Sequence, residues 1–304
     1  MTFLREVLTY QSTSKWYTIS VVIPHIREVL LMTRTTSTLA PSVSGRERLS
    51  AVLRKGGELV TVDDATEALN VDRVVAAKTL ARWNRQGWLK RIRRGLYAQV
   101  PLTASPTDQV LEDAWTLVPE LFEPAYVGGA TAAQHWDLTE QLFRTVFVYT
   151  ARPVRHTDQT IQGTSFSVRH IGKELFFGTR PLWRGRVKIQ ISDVHRTVVD
   201  ILADPGVGGG IRHVADCMAA YLRRDDADVD QLIAYAVRFK NGAVFKRLGF
   251  LAEAGGAPPA LAEACLKRLT KGNAKLDPAL PSPRLVRRWR LWVPANWKTN
   301  AKPQ

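Results

Sequence analysis

Apolar and polar positions follow a helical period between residues 73 and 87, with the sequence RVVAAKTLARWNRQG. At about 100° per residue, Ala76, Leu80, Trp83 and Gly87 fall within a narrow arc that would face a core. The opposite side carries a second set, which consists of Val74, Lys78, Ala81, Arg82 and Arg85. Asp72 is placed to cap the start of this helix and Gly87 to end it. The pattern predicts an amphipathic helix with one apolar and one cationic face.

The flanking segments predict the other parts of a winged helix. We expect a first helix over residues 46–55, a short strand over 58–61, a second helix over 63–69 and a tight turn over 70–72. Residues 88–93 and 96–100 are predicted strands that join at Arg94 and Gly95, because glycine readily adopts the positive φ of a hairpin turn. This order of elements is typical of winged helix-turn-helix domains, whose third helix and hairpin contact DNA.

From residue 102 onward the pattern mixes both periods. It predicts strands at residues 124–129, 145–151, 165–171, 175–178 and 187–192. Helices are predicted at residues 106–118, where Pro119 would end or kink the helix, and at 130–136, 194–202, 211–223, 228–239, 243–254 and 259–270. The last segment alternates arginine with tryptophan, which predicts a late strand covering an edge of the sheet.

These elements together predict an α+β fold. An N-terminal winged helix-turn-helix is followed by a larger mixed α/β domain with a mainly antiparallel sheet and a C-terminal helical region. We expect three parts: a leader over residues 1–45 that is flexible or partly ordered, the winged helix over 46–101, and the larger domain over 102–304. Met32 precedes a polar stretch, residues 33–44, so the native chain could also begin there.

The charge of the chain favours a polyanionic partner. It carries 43 Lys and Arg against 28 Asp and Glu, a formal net charge of +15. Nucleic acid is favoured well ahead of a membrane surface. No apolar run approaches the roughly 18 residues of a membrane span, and no secretory signal is evident, so we expect a cytoplasmic protein that binds no membrane.

Every charged side chain from Arg73 to Arg94 is basic. The eight predicted DNA-binding residues are Arg73, Lys78, Arg82, Arg85, Lys90, Arg91, Arg93 and Arg94. Residues 73–86 are expected to enter the major groove with Lys78, Arg82 and Arg85 nearest the bases, while Arg91, Arg93 and Arg94 grip the backbone. The alternative is an ordinary solvated helix face, which the neighbouring segments disfavour.

Two segments contain groups that could serve catalysis or phosphate binding. Asp193, His195, Thr197 and Asp200 offer acid and base groups, but on one helix they would point in different directions, and Arg196 with Asp200 would form an ordinary surface pair. Glycines 206 and 208–210 precede a helix, where a loop can cradle phosphate. They lack the Walker lysine and the GxGxxG spacing, so a flexible loop is the favoured interpretation.

The remaining candidates also favour structural roles. Cys217 and Cys265 are predicted to be buried free thiols, and no spacing predicts a metal site, a cofactor or a catalytic residue. The basic tail, with Arg284, Arg287, Arg288, Arg290 and Lys298 among tryptophans, could bind single-stranded nucleic acid. A strand with its tryptophans in the core and its arginines outward is favoured.

The chain resembles the AbiEi-type antitoxins of bacterial abortive-infection toxin–antitoxin systems over about residues 46–270. The segments that carry the resemblance are RRGLYAQVP, YVGGATAAQHWDLTEQLFRTVFVYTA, ISDVHRTVVDIL and VFKRLGFLAEAGG. It implies that the winged helix binds inverted repeats in double-stranded DNA of its own promoter. It also implies that the larger domain counteracts a nucleotidyltransferase-like toxin, with or without direct contact. The alternatives are a plain transcription factor with an effector-binding domain and a nucleic-acid-processing enzyme.

Overall fold

A computed structural model describes residues 6–12, 15–21, 43–101 and 113–297. Met32, residues 33–42, most of the predicted helix at 106–118, and Lys298 lie outside these ranges. The chain divides into two compact units, Met1–Leu49 and Ser50–Gln304. In the first unit, strands β1 (Glu6–Ser12) and β2 (Lys15–Val21) form an antiparallel hairpin that the sequence analysis did not predict.

The predicted winged helix forms with its elements in the expected order. Its parts are α1 (Val43–Gly56), β3 (Leu59–Thr61), α2 (Val62–Leu69), α3 (Arg73–Arg85), β4 (Leu89–Arg93) and β5 (Leu96–Gln99). The three strands make an antiparallel sheet in the order β3-β5-β4. Gly95 joins β4 to β5 with a φ of 82°, as the hairpin turn requires. We call the β4–β5 hairpin the wing.

Short polar caps define where α2 and α3 begin and where α2 ends. The Thr61 hydroxyl accepts a hydrogen bond from the backbone N–H of Asp64, whose carboxylate accepts one from the Thr61 N–H at 2.8 Å. Asn70 ends α2 in the left-handed region at φ 50°. Asp72 then caps α3 as predicted and accepts from the N–H groups of Val74 and Val75 at 2.9 and 3.0 Å.

The larger domain is built on a six-stranded mixed sheet. Its first elements are α4 (Leu117–Phe122), β6 (Ala125–Val127), α5 (Gly129–His135), β7 (Thr145–Thr150), β8 (Asp158–Ile161), β9 (Thr164–His170), β10 (Thr179–Arg184) and β11 (Val187–Ser192). The strand order is β10-β11-β6-β7-β9-β8. Three strand pairs are antiparallel, whereas β11 with β6 and β7 with β9 are parallel.

Some predictions for this sheet were wrong. The strand at residues 175–178 is absent, because a 3₁₀ turn over Lys173–Leu175 and the positive φ of Gly178 (63°) delay the strand until Thr179. Strands β8 and β10 were not predicted. Pro119 does not end a helix: it is the third residue of α4, where no intrahelical N–H is required.

The C-terminal helices follow the predicted order. They are α6 (Val194–Ala203), α7 (Ile211–Leu222), α8 (Val229–Phe239), α9 (Gly242–Ala254) and α10 (Pro259–Leu266). The tail does not cover an edge of the six-stranded sheet. Its strands β12 (Ala274–Lys275), β13 (Arg284–Val286) and β14 (Leu291–Val293) form a separate sheet in the order β12-β14-β13. Trp289 is buried, but in a 3₁₀ turn (Arg287–Trp289) and not in a strand. Trp292 of β14 is 36% exposed, so the prediction that the tryptophans of this strand enter the core was wrong for Trp292.

The winged helix and the larger domain share one hydrophobic core. Leu59, Leu96 and Ala98 of the winged-helix sheet pack in the same buried cluster as Leu117 and Val118 of α4. Apolar surface from both parts is therefore removed from water at one joint, which holds them together. This joint connects the sheet of the winged helix to the larger domain.

Candidate nucleic-acid interface

Helix α3 is anchored by its apolar side. Ala76, Leu80 and Trp83 are all buried, with Trp83 only 1% exposed. The Trp83 ring also lies against the ring of Trp88 at a centroid distance of 6.4 Å. This face is the one that the helical period predicted. Its burial leaves the opposite side of the helix turned to solvent.

The solvent side of α3 carries three unengaged cations. Lys78, Arg82 and Arg85 are exposed, and within the described part of the chain none of their side chains makes a hydrogen bond or ion pair. Arg94, at the tip of the wing, is exposed in the same way. We call Lys78, Arg82 and Arg85 the cationic face. It is accessible to a partner, and DNA binding by these residues remains a prediction.

The other four predicted residues have contacts within the protein. Arg73 pairs with Asp63 of α2, and Lys90 is half-buried in β4. The Arg91 Nε donates to the carbonyl of Arg93 at 3.3 Å. The Arg93 guanidinium donates to the carbonyl of Glu120 in α4. Arg73 and Arg93 are therefore already used to hold the domain together.

Sequence reasoning missed one basic residue that lies close to the wing. Arg152, in the loop after β7, donates to the carbonyl of Leu121 at 3.5 Å. This carbonyl is the neighbour of the one that Arg93 contacts, so both cations meet the end of α4, where carbonyl oxygens are exposed. No local motif marks Arg152, since β7 and the wing are distant in sequence.

The segment considered for acid–base chemistry contains a buried ion pair. Arg196 and Asp200 are both fully buried at 2.8 Å, so the prediction of a surface pair was wrong. The guanidinium also donates to the hydroxyl of Tyr126 at 2.8 Å and to the carbonyl of Leu175 at 2.9 Å. Burial raises the pKa of Asp200 to about 6, although Arg196 and Tyr126 favour its charged form.

The other polar groups of this segment also have partners inside the fold. Asp193 caps α6 through the N–H of Arg196 and accepts from the Tyr235 hydroxyl at 2.9 Å. The His195 ring lies 2.9 Å from the hydroxyl of Tyr221. Thr197 and Ser192 share a hydrogen bond of 2.7 Å. These groups brace α6 against its neighbours and do not converge on one reacting position.

The glycine-rich loop is occupied by carboxylates of the chain itself. Asp204 accepts a hydrogen bond from the N–H of Gly206 at 3.0 Å. The buried carboxylate of Asp277 accepts from the N–H of Ile211, at the start of α7, also at 3.0 Å. An anion at a helix start satisfies free N–H groups. Here the anion is the carboxylate of Asp277 in the same chain, and the loop leads into α7.

The two cysteines do not form a reactive or metal-binding pair. Cys217 and Cys265 are buried free thiols, as predicted, and burial raises the pKa of each to about 12. In the described ranges, no three His, Cys, Asp or Glu side chains are arranged to hold a metal ion. No helix in those ranges is both long and apolar enough to cross a bilayer.

Comparison with known families gives a match that is confined to the winged helix. Residues 47–98 match the sequence model of the family described as transcriptional regulator, AbiEi antitoxin. The predicted resemblance is confirmed for this region. The AbiEi match extends from α1 into β5 and includes all eight predicted DNA-binding residues. It does not extend into the larger domain.

Comparison with solved structures concerns the whole fold. The crystal structure of the RV2827C protein from Mycobacterium tuberculosis is similar, with a TM-score of 0.59 and 18% identity. The similarity covers 82% of this chain and 90% of that one, so it includes most of the larger domain. At this identity it is a likeness of fold. No curated protein matches the chain.

Proposed function

We propose that the chain is a DNA-binding antitoxin that represses the promoter of its own toxin–antitoxin operon through the winged helix. The observation that carries this proposal is the cationic face of α3. It is exposed and has no partners among the described residues, while the other side of the same helix is buried. The family match of the same region to antitoxin regulators supports it. A polyanion is the partner that such a face fits.

In this proposal α3 lies in the major groove. Arg82 and Arg85 donate to the O6 and N7 acceptors of guanine, while Lys78 contacts a base or a phosphate. The exposed Arg94 at the tip of the wing contacts the backbone, together with Arg91. Two molecules placed side by side would occupy an inverted repeat, so a stable dimer in solution is not required.

The test is DNA binding by a double charge reversal. Arg82→Glu with Arg85→Glu should abolish binding to the DNA upstream of the operon, measured by fluorescence anisotropy. The matched control is Lys267→Glu with Lys271→Glu, two exposed lysines at and beyond the C-terminal cap of α10, which changes the net charge equally. Circular dichroism checks both folds. Equal loss in both variants, or no loss in the first, would contradict the proposal.

We further propose that the larger domain counteracts a nucleotidyltransferase-like toxin in the cytoplasm, by binding and without catalysis. The toxin gene would lie next to the gene of this chain. The acid and base groups of α6 support a role without catalysis, since their contacts lie within the fold. Co-expression with the neighbouring toxin tests this. A truncation is a poor test because Leu59, Leu96 and Ala98 complete the core beside α4. The full-length Arg82→Glu, Arg85→Glu variant should still protect cells while losing DNA binding.

A second candidate function, a plain transcription factor with a small effector, is favoured by one open groove of about 760 Å³. It lies between α7 and the end of α9, and a volume of this size suits a small molecule. Among its lining residues are Arg212, Asp216, Arg223, Leu251 and Trp297. Substitutions here that abolish promoter regulation, in an operon without a nucleotidyltransferase gene, would favour this candidate.

A further inference from the structure

The first turn of α3 exposes two valines. Val74 is 61% exposed and Val75 is 40% exposed. Asp72 holds their backbone N–H groups, so this turn is fixed in the free protein. A large aliphatic side chain that is mostly in water gains nothing for the fold, although single exposed apolar residues are common. The residues around Val74 therefore decide which partner its exposed side chain could contact.

Val74 begins a regular stripe along the solvent side of the helix. The stripe consists of Val74, Lys78, Ala81 and Arg85, which are spaced by four, three and four residues. At 100° per residue these four positions lie within roughly 60° of one another. Apolar and cationic side chains therefore alternate along about 16 Å, the length of about five base pairs.

The charges around Val74 identify its partner. Lys78 follows Val74 by one turn on the same side of the helix, and the part of α3 beyond its cap has no acidic residue. A second copy of this surface would be repelled by its like charge. A polyanion that also presents apolar groups is complementary. The major groove of DNA is such a surface, because each thymine projects its C5-methyl group there.

We propose that Val74 is a specificity-determining residue that contacts a thymine C5-methyl group in each half-site. This inference rests on the proposed DNA-binding function and names one base that α3 contacts. The valine lies at the N-terminal end of α3, and the N-terminal residues of a recognition helix commonly contact base edges. Arg85 lies at the opposite end of the stripe, so the thymine is separated from any guanine that Arg85 contacts.

The experiment removes the methyl group from the DNA. Duplexes that bind the full-length chain are selected from a random library, and each thymine of the selected site is replaced singly by deoxyuridine. The wild-type chain should lose about fourfold in affinity at one position of each half-site, the effect of one methyl group leaving a buried contact. Val74→Ala should bind the thymine and deoxyuridine duplexes equally.

A matched control separates the contact from general effects. Val237→Ala removes the same atoms from a valine of α8 that is 52% exposed, outside the winged helix. This variant should keep the wild-type preference for thymine. Because Val74 is mostly exposed, its substitution should leave the unfolding transition unchanged, which thermal melting verifies.

The outcomes distinguish this inference from the proposed function. If deoxyuridine is tolerated at every position while Arg82→Ala still weakens binding, the thymine contact is wrong and DNA binding stands. If Val74→Ala loses the same factor of affinity, relative to the wild-type chain, on the thymine and on the deoxyuridine duplex, the preference for thymine is kept. Val74 then contacts something other than the methyl group. If no duplex is selected, both proposals fail.

Discussion

The guanidinium of Arg93, on the wing, donates a hydrogen bond to the backbone carbonyl of Glu120 in helix α4. The next residue, Arg94, is exposed and has no such contact in the described part of the chain. Two adjacent arginines of one hairpin thus have different surroundings. One ties the wing to the larger domain and the other points to solvent.

This difference predicts two separable phenotypes. Arg93→Ala should lower the free energy of unfolding by about 1 kcal/mol, because a hydrogen bond from a charged donor is lost. Arg94→Ala should leave stability unchanged and weaken DNA binding. Guanidinium denaturation and fluorescence anisotropy measure the two properties. Equal stability of both variants would show that the Glu120 contact contributes nothing.

The cationic face predicts a steep dependence of DNA affinity on salt. If about six phosphates are neutralised, the logarithm of affinity should fall against the logarithm of salt concentration with a slope of about −5. Replacing a residue that contacts phosphate, such as Arg94, by alanine should reduce the slope by about one. Titrations at several salt concentrations measure this. A slope that does not change would remove Arg94 from the phosphate contacts.

The buried pair of Arg196 and Asp200 predicts a strongly asymmetric mutational response. Asp200→Ala leaves a buried guanidinium without its carboxylate and should cost about 3–5 kcal/mol of stability. The double variant Arg196→Met, Asp200→Leu removes both charges and should cost less. Denaturant unfolding of the two variants provides the comparison. A double variant as unstable as Asp200→Ala would show that Arg196 is needed for its other hydrogen bonds.

The same carboxylate predicts a pH dependence of stability. Burial raises the pKa of Asp200 from 3.8 to about 6, so between these values the folded state holds a proton that the unfolded chain has lost. The free energy of unfolding should therefore decrease as pH rises from about 4 to 6, by up to about 3 kcal/mol, and then level off. Asp200→Asn cannot titrate and should lack this decrease. Parallel slopes for the two proteins would contradict the raised pKa.

Local patterns were enough to predict the winged helix. The burial of Ala76, Leu80 and Trp83 follows from the helical period, and the turn at Gly95 follows from its conformational freedom. Each of these features is set by residues close in sequence. The exposure of Lys78, Arg82 and Arg85 follows from the same wheel, since a helix that buries one side exposes the other.

Contacts between distant residues could not be predicted in this way. An arginine and an aspartate four residues apart are usual on a helix surface. The groups that surround the buried Arg196, such as the hydroxyl of Tyr126 in β6 and the carbonyl of Leu175, come from distant parts of the sequence. Strand β10 was missed because Pro181 disfavours a strand interior, yet at a sheet edge proline loses no ladder hydrogen bond. The internal partner of Arg93 is similarly invisible until α4 is in place.

The core shared by Leu59, Leu96 and Leu117 packs the sheet of the winged helix directly against α4 of the larger domain. Because the two parts share this core, the larger domain would keep one orientation relative to the DNA in the proposed complex. Binding of two molecules to an inverted repeat would then depend on the rotation between the half-sites around the DNA axis. Adding about five base pairs between the half-sites would turn them to opposite faces of the duplex, whereas about ten would restore their alignment.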